Sequence, residues 1–152
     1  MQTKKWANEY RTTLVCVDRY ERRVPEGRFY NPHYPSGKPF CGVIDLLKQL
    51  DQMLDEMHFP TPYTKVRSFA DVPIPKAMPP EDAERREGEV ATLALRILFR
   101  QNASWQGSVT WLEGRREESF RSVLELMYLL DSAASGDVSP EEESKCRITS
   151  AV

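Results

Sequence analysis

The feature that most constrains this chain is an echo within it. A stretch near the end, GSVTWLEGRREESFRSVLELMYLLDSAA (residues 107–134), has a counterpart eighty positions earlier, and the two align without a gap. Gly107 falls on Gly27, Phe120 on Phe40, Val123 on Val43, Leu126 on Leu46, Leu130 on Leu50 and Asp131 on Asp51. Leu124 matches Ile44, Glu125 matches Asp45 and Met127 matches Leu47, while upstream Leu95 and Ile97 match Val15 and Val17. Any two amphipathic helices can be laid over one another on their apolar stripes. A glycine and an upstream strand that keep the same offset are harder to match by chance, so the sequence reads as two copies of a strand–strand–helix unit.

Within the later copy, residues 108–112 alternate polar and apolar side chains and are rich in β-branched and aromatic types, which predicts a strand. Gly114 and the charged run 115–118 then turn the chain. From Phe120 the apolar residues recur at Val123, Leu124, Met127 and Leu130, one face of a helix. Ser119 and Ser122 are both candidate caps, the second with Glu125 three residues on, and Gly136 stops the helix. In the earlier copy, residues 12–20 (TTLVCVDRY) predict a strand, residues 28–30 a short second strand and NPHYPSGKP a proline-rich turn. Residues 40–57 predict a helix with Val43, Ile44, Leu47, Leu50 and Leu54 on one stripe.

A chain of 152 residues is about the size of one domain, and units of under about fifty residues cannot each bury an adequate core. The units are therefore expected to share one. The predicted class is α+β: a two-layer domain, residues 1–134, with an antiparallel sheet of four to five strands and two helices on one face, built from two pseudo-repeated ββα units at 12–58 and 89–134. Between them lies a proline-rich linker, residues 60–88, with EDAERREGE at its end and one short edge strand at 64–69. Residues 135–152 are small, acidic and without apolar periodicity, and predict a disordered tail.

The segments KKWANEYRTTLVCVDRY, RILFRQNASWQGSVTWLE and FRSVLEL resemble a family of small uncharacterised proteins from anaerobic Firmicutes, and the likeness spans both units. The resemblance implies a bacterial origin. It implies no activity, cofactor or site residue.

Composition excludes more than it suggests. A net charge of −2 and a pI near 5.8 give no global attraction to nucleic acid or anionic membrane. No apolar run approaches a bilayer span and the first residues lack the apolar core of a signal peptide, so a cytoplasmic protein without membrane contact is expected. Cys16, Cys41 and Cys146 are odd in number and show no C-x-x-C spacing, against a disulfide framework or a cysteine zinc site. The two histidines, His33 and His58, have no second ligand at i+2 or i+4, and neither G-x-S-x-G nor a phosphate-cradling loop is present. Asp45 and Glu125 can be imagined as an acid–base pair, but a first-turn position, where negative charge is favourable, explains each. No catalytic residue, metal or cofactor is expected, and a non-enzymatic role follows.

Two constellations remain. If Val15, Val17, Leu93, Leu95, Ile97 and Phe99 pack on the helices, then Leu14, Cys16, Ala94, Leu98 and either Trp111 or Leu112 point away, and that face is too apolar to be left in water. The linker, a second copy of the chain as a homodimer, or a partner protein are the candidates to cover it. The other constellation is basic and aromatic: Arg19, Tyr20, Arg22, Arg23, Arg28, Phe29, Tyr30 and Tyr34 in the first unit, Arg96, Arg100 and Trp105 in the second. Guanidinium groups for phosphate and rings for base stacking are what a single-stranded nucleic acid requires. The leading expectation is a non-catalytic protein-binding or regulatory module acting through the apolar sheet face; the alternative is a single-stranded nucleic-acid-binding module.

Overall fold

A computed structural model describes residues 8–62, 66–73 and 86–136. A single helical turn, α1 (Asn8–Arg11), leads into β1 (Thr12–Glu21), followed by β2 (Val24–Tyr30), β3 (Lys38–Cys41) and α2 (Val43–Met57). The second half runs β4 (Ala91–Phe99), β5 (Gln106–Trp111), β6 (Arg116–Phe120) and α3 (Val123–Ala134). The strands form one antiparallel sheet in the order β3-β2-β1-β4-β5-β6, so the first strand of each half lies at the centre. Both helices pack on one face. Among the described residues no helix is long and apolar enough to cross a membrane.

The β-prone runs TTLVCV and ATLALR pair along their length, with Val15 opposite Leu93 and Leu14 opposite Ala94. Each then reaches an irregularity, between Val17 and Arg19 in β1 and between Ile97 and Phe99 in β4. Each goes on to a turn whose central residues have left-handed backbone: Arg22 and Arg23, the two residues between β1 and β2, at φ 53 and 59, and Asn102 and Ala103, within the six between β4 and β5, at φ 53 and 54. Such a turn matches the twist of a hairpin. Gly27 sits between Val17 and Phe40, and Gly107 between Ile97 and Phe120. A Cβ at either glycine would strike the backbone carbonyl of the neighbouring strand, Cys16 or Arg96.

The helices begin alike as well. Asp45 accepts from the backbone N of Cys41 at 2.9 Å and Glu125 from that of Arg121 at 3.0 Å, each carboxylate reaching back over the first turn of its helix. These carboxylates cap the starts of the two helices. Ser122 is the N-cap of α3, accepting from Glu125 N at 3.2 Å. His58, at φ 55, closes α2 and its N–H donates to Asp55 O. Gly136, at φ 76, follows α3.

One core joins the two layers. Val15, Val17, Phe29, Leu93, Leu95, Ile97 and Val109 from the sheet meet Leu46, Leu50, Met53, Leu126 and Leu130 from the helices. Full burial of each such side chain stabilises by about 1.5–3 kcal/mol, which is why the helix stripes settle here.

Three expectations are corrected. The sheet has six strands, not four to five, because Lys38–Cys41 and Arg116–Phe120 are strands where a turn running into a helix start was expected. Both are edge strands, where proline and charge are tolerated because one side faces water, so neither shows the apolar alternation of a central strand. Each half is therefore strand–strand–strand–helix, and α2 starts at Val43, with Phe40 entering the core from β3. Finally, no strand occurs in residues 66–73. The remainder of the expected 64–69 strand, Cys146 and the tail beyond Gly136 lie outside the described residues.

Candidate protein-binding face

Directly opposed residues in an antiparallel sheet point to the same side. On the side without helices, three rows run across the strands. The first is Pro39, Arg28, Cys16 and Thr92. The second is Tyr30, Leu14, Ala94, Thr110 and Glu117. The third is Thr12, Arg96, Ser108 and Ser119.

The first row is already covered. Arg28 is 5% exposed and donates to Asp18, to the Tyr30 hydroxyl at 2.7 Å and to the Glu87 carbonyl at 2.8 Å. The end of the linker is fastened here: Gly88 N donates to Thr92 Oγ1, Glu89 N to Asp18 Oδ1 and Val90 N to Val17 O. The Arg86 guanidinium lies 5.6 Å from the Tyr30 ring centre. Gly88 makes this approach feasible, since a Cβ there would collide with the Val17 and Ala91 backbone. Cys16 beneath is fully buried, and burial pushes its thiol up to about 11.

The rest of the face is open to a different degree. Leu14, Ala94 and Leu98 are half-buried, and Phe99 is 53% exposed. Phe99 was expected in the core. The irregularity after Ile97 shifts the register by one, placing Phe99 opposite Gln106 and turning it out of the helix-covered side. Trp111 moves the other way: it pairs with Leu93 and packs against the helix-side core, so it is no part of the open face. Of the five expected interface residues, Leu14, Ala94 and Leu98 are accessible, Cys16 is buried and Trp111 is behind the sheet.

The arginine–aromatic constellation does not assemble. Trp105 belongs to the core and Tyr30 is 8% exposed. Arg28 is held as above, and Arg100, 3% exposed, donates to Asp51, Asp55 and the Pro60 carbonyl. Arg19 pairs with Glu21 and Glu26, and Arg23 with Asp131. Arg96 stands in the third row and Arg22 in the exposed β1–β2 turn. The guanidinium groups of Arg19, Arg23, Arg28 and Arg100 thus serve the fold's own carboxylates and carbonyls.

Two polar groupings lie elsewhere. His33 Nε2, the Tyr34 hydroxyl and Gln52 Nε2 converge on Glu56, at 2.9, 3.0 and 3.1 Å. Partial burial raises the Glu56 carboxyl, but these hydrogen bonds outweigh it and leave it below the ordinary carboxylate range. Beside β1–β3, the exposed Cys41 thiol donates to Glu26 at 3.5 Å, and that bond pushes it up, away from the reactive thiolate. Among the described residues no cluster of three or more His, Cys, Asp or Glu could hold a metal ion. No protein-family model matches the chain, and neither a curated protein nor a solved structure is similar to it.

Proposed function

We propose that the chain is a non-catalytic protein-binding module, made of two copies of one βββα unit, whose partner docks on the helix-free sheet face at Leu14, Ala94, Leu98 and Phe99. The observation that carries this is the Leu14–Ala94 pair, apolar and half-buried at the centre of that face, with Ser108, Thr110 and Ser119 around it. An apolar centre within a polar rim is how protein interfaces are arranged. The sheet edges point the same way. β3 carries Pro39 and β6 exposes Arg116, Glu117 and Glu118, features that discourage strand addition and leave the face as the surface for a partner.

The duplicated unit is supported by features that recur at the same offset: the two glycines, the two irregularities, the two left-handed turns and the two helix caps. The partner side is tested by Ala94→Glu and Leu98→Glu in the full chain. Both are expected to melt within a few degrees of the parent, as surface changes do, while partner retention on an immobilised chain or self-association by sedimentation equilibrium is lost. Unchanged retention and unchanged mass in a folded variant would sink the reading.

A further inference from the structure

The seam between the halves has a property that an ordinary strand pair lacks. In β1 and β4, Leu14 faces Ala94, Thr12 faces Arg96 and Cys16 faces Thr92. With the halves offset by eighty, Leu14 meets its own equivalent, and the pairs on either side exchange places when the halves are exchanged. Contacts across the seam are reciprocal in the same way: Tyr20 of the first half donates to Asp131 of the second, and Arg100 of the second donates to Asp51 of the first. A register in which position i meets j and j meets i is that of a two-fold interface between identical chains.

Along the chain the halves are joined by the segment from α2 to β4. Its start is fixed near one end of β4, where the Pro60 carbonyl accepts from Arg100, and its end near the other, where Val90 N donates to Val17 O. The two anchored ends therefore lie roughly 30 Å apart, the length of the nine-residue β4 at about 3.3 Å per residue. The outer edges of the sheet are guarded by proline and charge, but residues 12–17 and 91–96 pair without a break, so a chain with an open seam offers a pairing strand to any other copy.

We infer that this seam is also an intermolecular surface: its partner is a second copy of the chain, and two chains exchange halves, β1 of one pairing with β4 of the other in the same register. The linker decides which closure occurs. At its natural length it holds the halves at an effective concentration that favours closure within one chain; shortened below the span, it leaves exchange as the way to close the seam. This inference does not rest on the docking face proposed above.

Deleting residues 61–85 leaves four residues between Pro60 and Val90, a reach of at most about 17 Å. The deleted chain is expected to show native circular dichroism and twice the chain mass by light scattering. A second experiment needs no deletion. Full-length Leu50→Asp and Leu130→Asp chains, each expected to lose its cooperative melt, are unfolded and refolded together. Exchange places the intact first half of one with the intact second half of the other, restoring about half the parent signal in a species of two-chain mass. A folded monomer from the deletion, or a refolded mixture that only averages the separate chains, overturns the inference; if the deleted chain does not fold, the mixture decides.

Discussion

Arg100, just past the end of β4, reaches across the seam and donates to Asp51 of α2 at 3.1 Å. It also donates to Asp55 at 2.7 Å and to the Pro60 carbonyl at 2.6 Å, so one buried side chain ties the second half of the sheet to the helix of the first and to the start of the linker. Its carboxylate partners differ in exposure, 36% for Asp51 and 58% for Asp55. Arg100→Ala is expected to cost about 2–3 kcal/mol, since it strands a buried carbonyl and removes charge-assisted bonds. Asp55→Ala should cost less than about 1 kcal/mol, because an exposed partner is screened. Urea denaturation of the two variants checks the order; equal losses would contradict it.

Leu50 and Leu130 are 1% and 5% exposed and occupy the same place on their helices. Leu→Ala at either is expected to cost about 2–5 kcal/mol, and the two urea midpoints should fall by similar amounts. A severe effect at one and none at the other would separate the halves energetically.

The turn residues Arg23 and Ala103 hold φ of 59 and 54, a conformation that costs a residue with a side chain roughly 1 kcal/mol. Arg23→Gly and Ala103→Gly should each raise the melting temperature by about 2–4 °C, the shift expected per 1 kcal/mol in a chain of this size. A lower melting temperature for either would show that its side chain contributes more than its backbone costs.

Glu56 supplies the pH dependence. Its folded carboxyl lies below the ordinary value of 4.5, so its contribution is complete above that value and is lost as pH falls through the lower folded one. The side chain is 38% exposed, which keeps the effect small. Between pH 7 and 3, the urea midpoint of the parent should fall more than that of Glu56→Gln. Parallel curves would mean that His33, Tyr34 and Gln52 do not favour the charged form.

How much of this was legible follows from where each signal resides. The central strands and helix stripes were readable because their apolar periodicity is dictated by burial on one side, and Asp45 and Glu125 were readable as first-turn residues by position alone. β3 and β6 were not, since an edge strand with KPFC or REESF has no period to detect. Phe99 was misplaced by a single inserted residue, which reverses the sides of everything beyond it. Trp111 was within reach: Val109, two residues before it, faces the core opposite Leu95, and parity puts both on that side. Arg28 and Arg100 read as free cations because their carboxylates, Asp18 and Asp51, lie on other elements, and no local pattern announces such pairs.

The Leu14–Ala94 pairing also has a kinetic consequence. It closes a loop of eighty residues, and because closure entropy grows only with the logarithm of length, the distance weighs little on final stability. Folding speed responds differently, falling as contacts join more distant parts of a chain. The β1–β2 and β4–β5 hairpins close over two and six residues and can form in microseconds, whereas their meeting waits on the diffusion of the intervening segment. Stopped-flow refolding should therefore slow for Leu95→Ala, which weakens the seam, and quicken for Ala103→Gly, which stabilises a hairpin already formed when the seam closes and leaves the unfolding rate nearly unchanged.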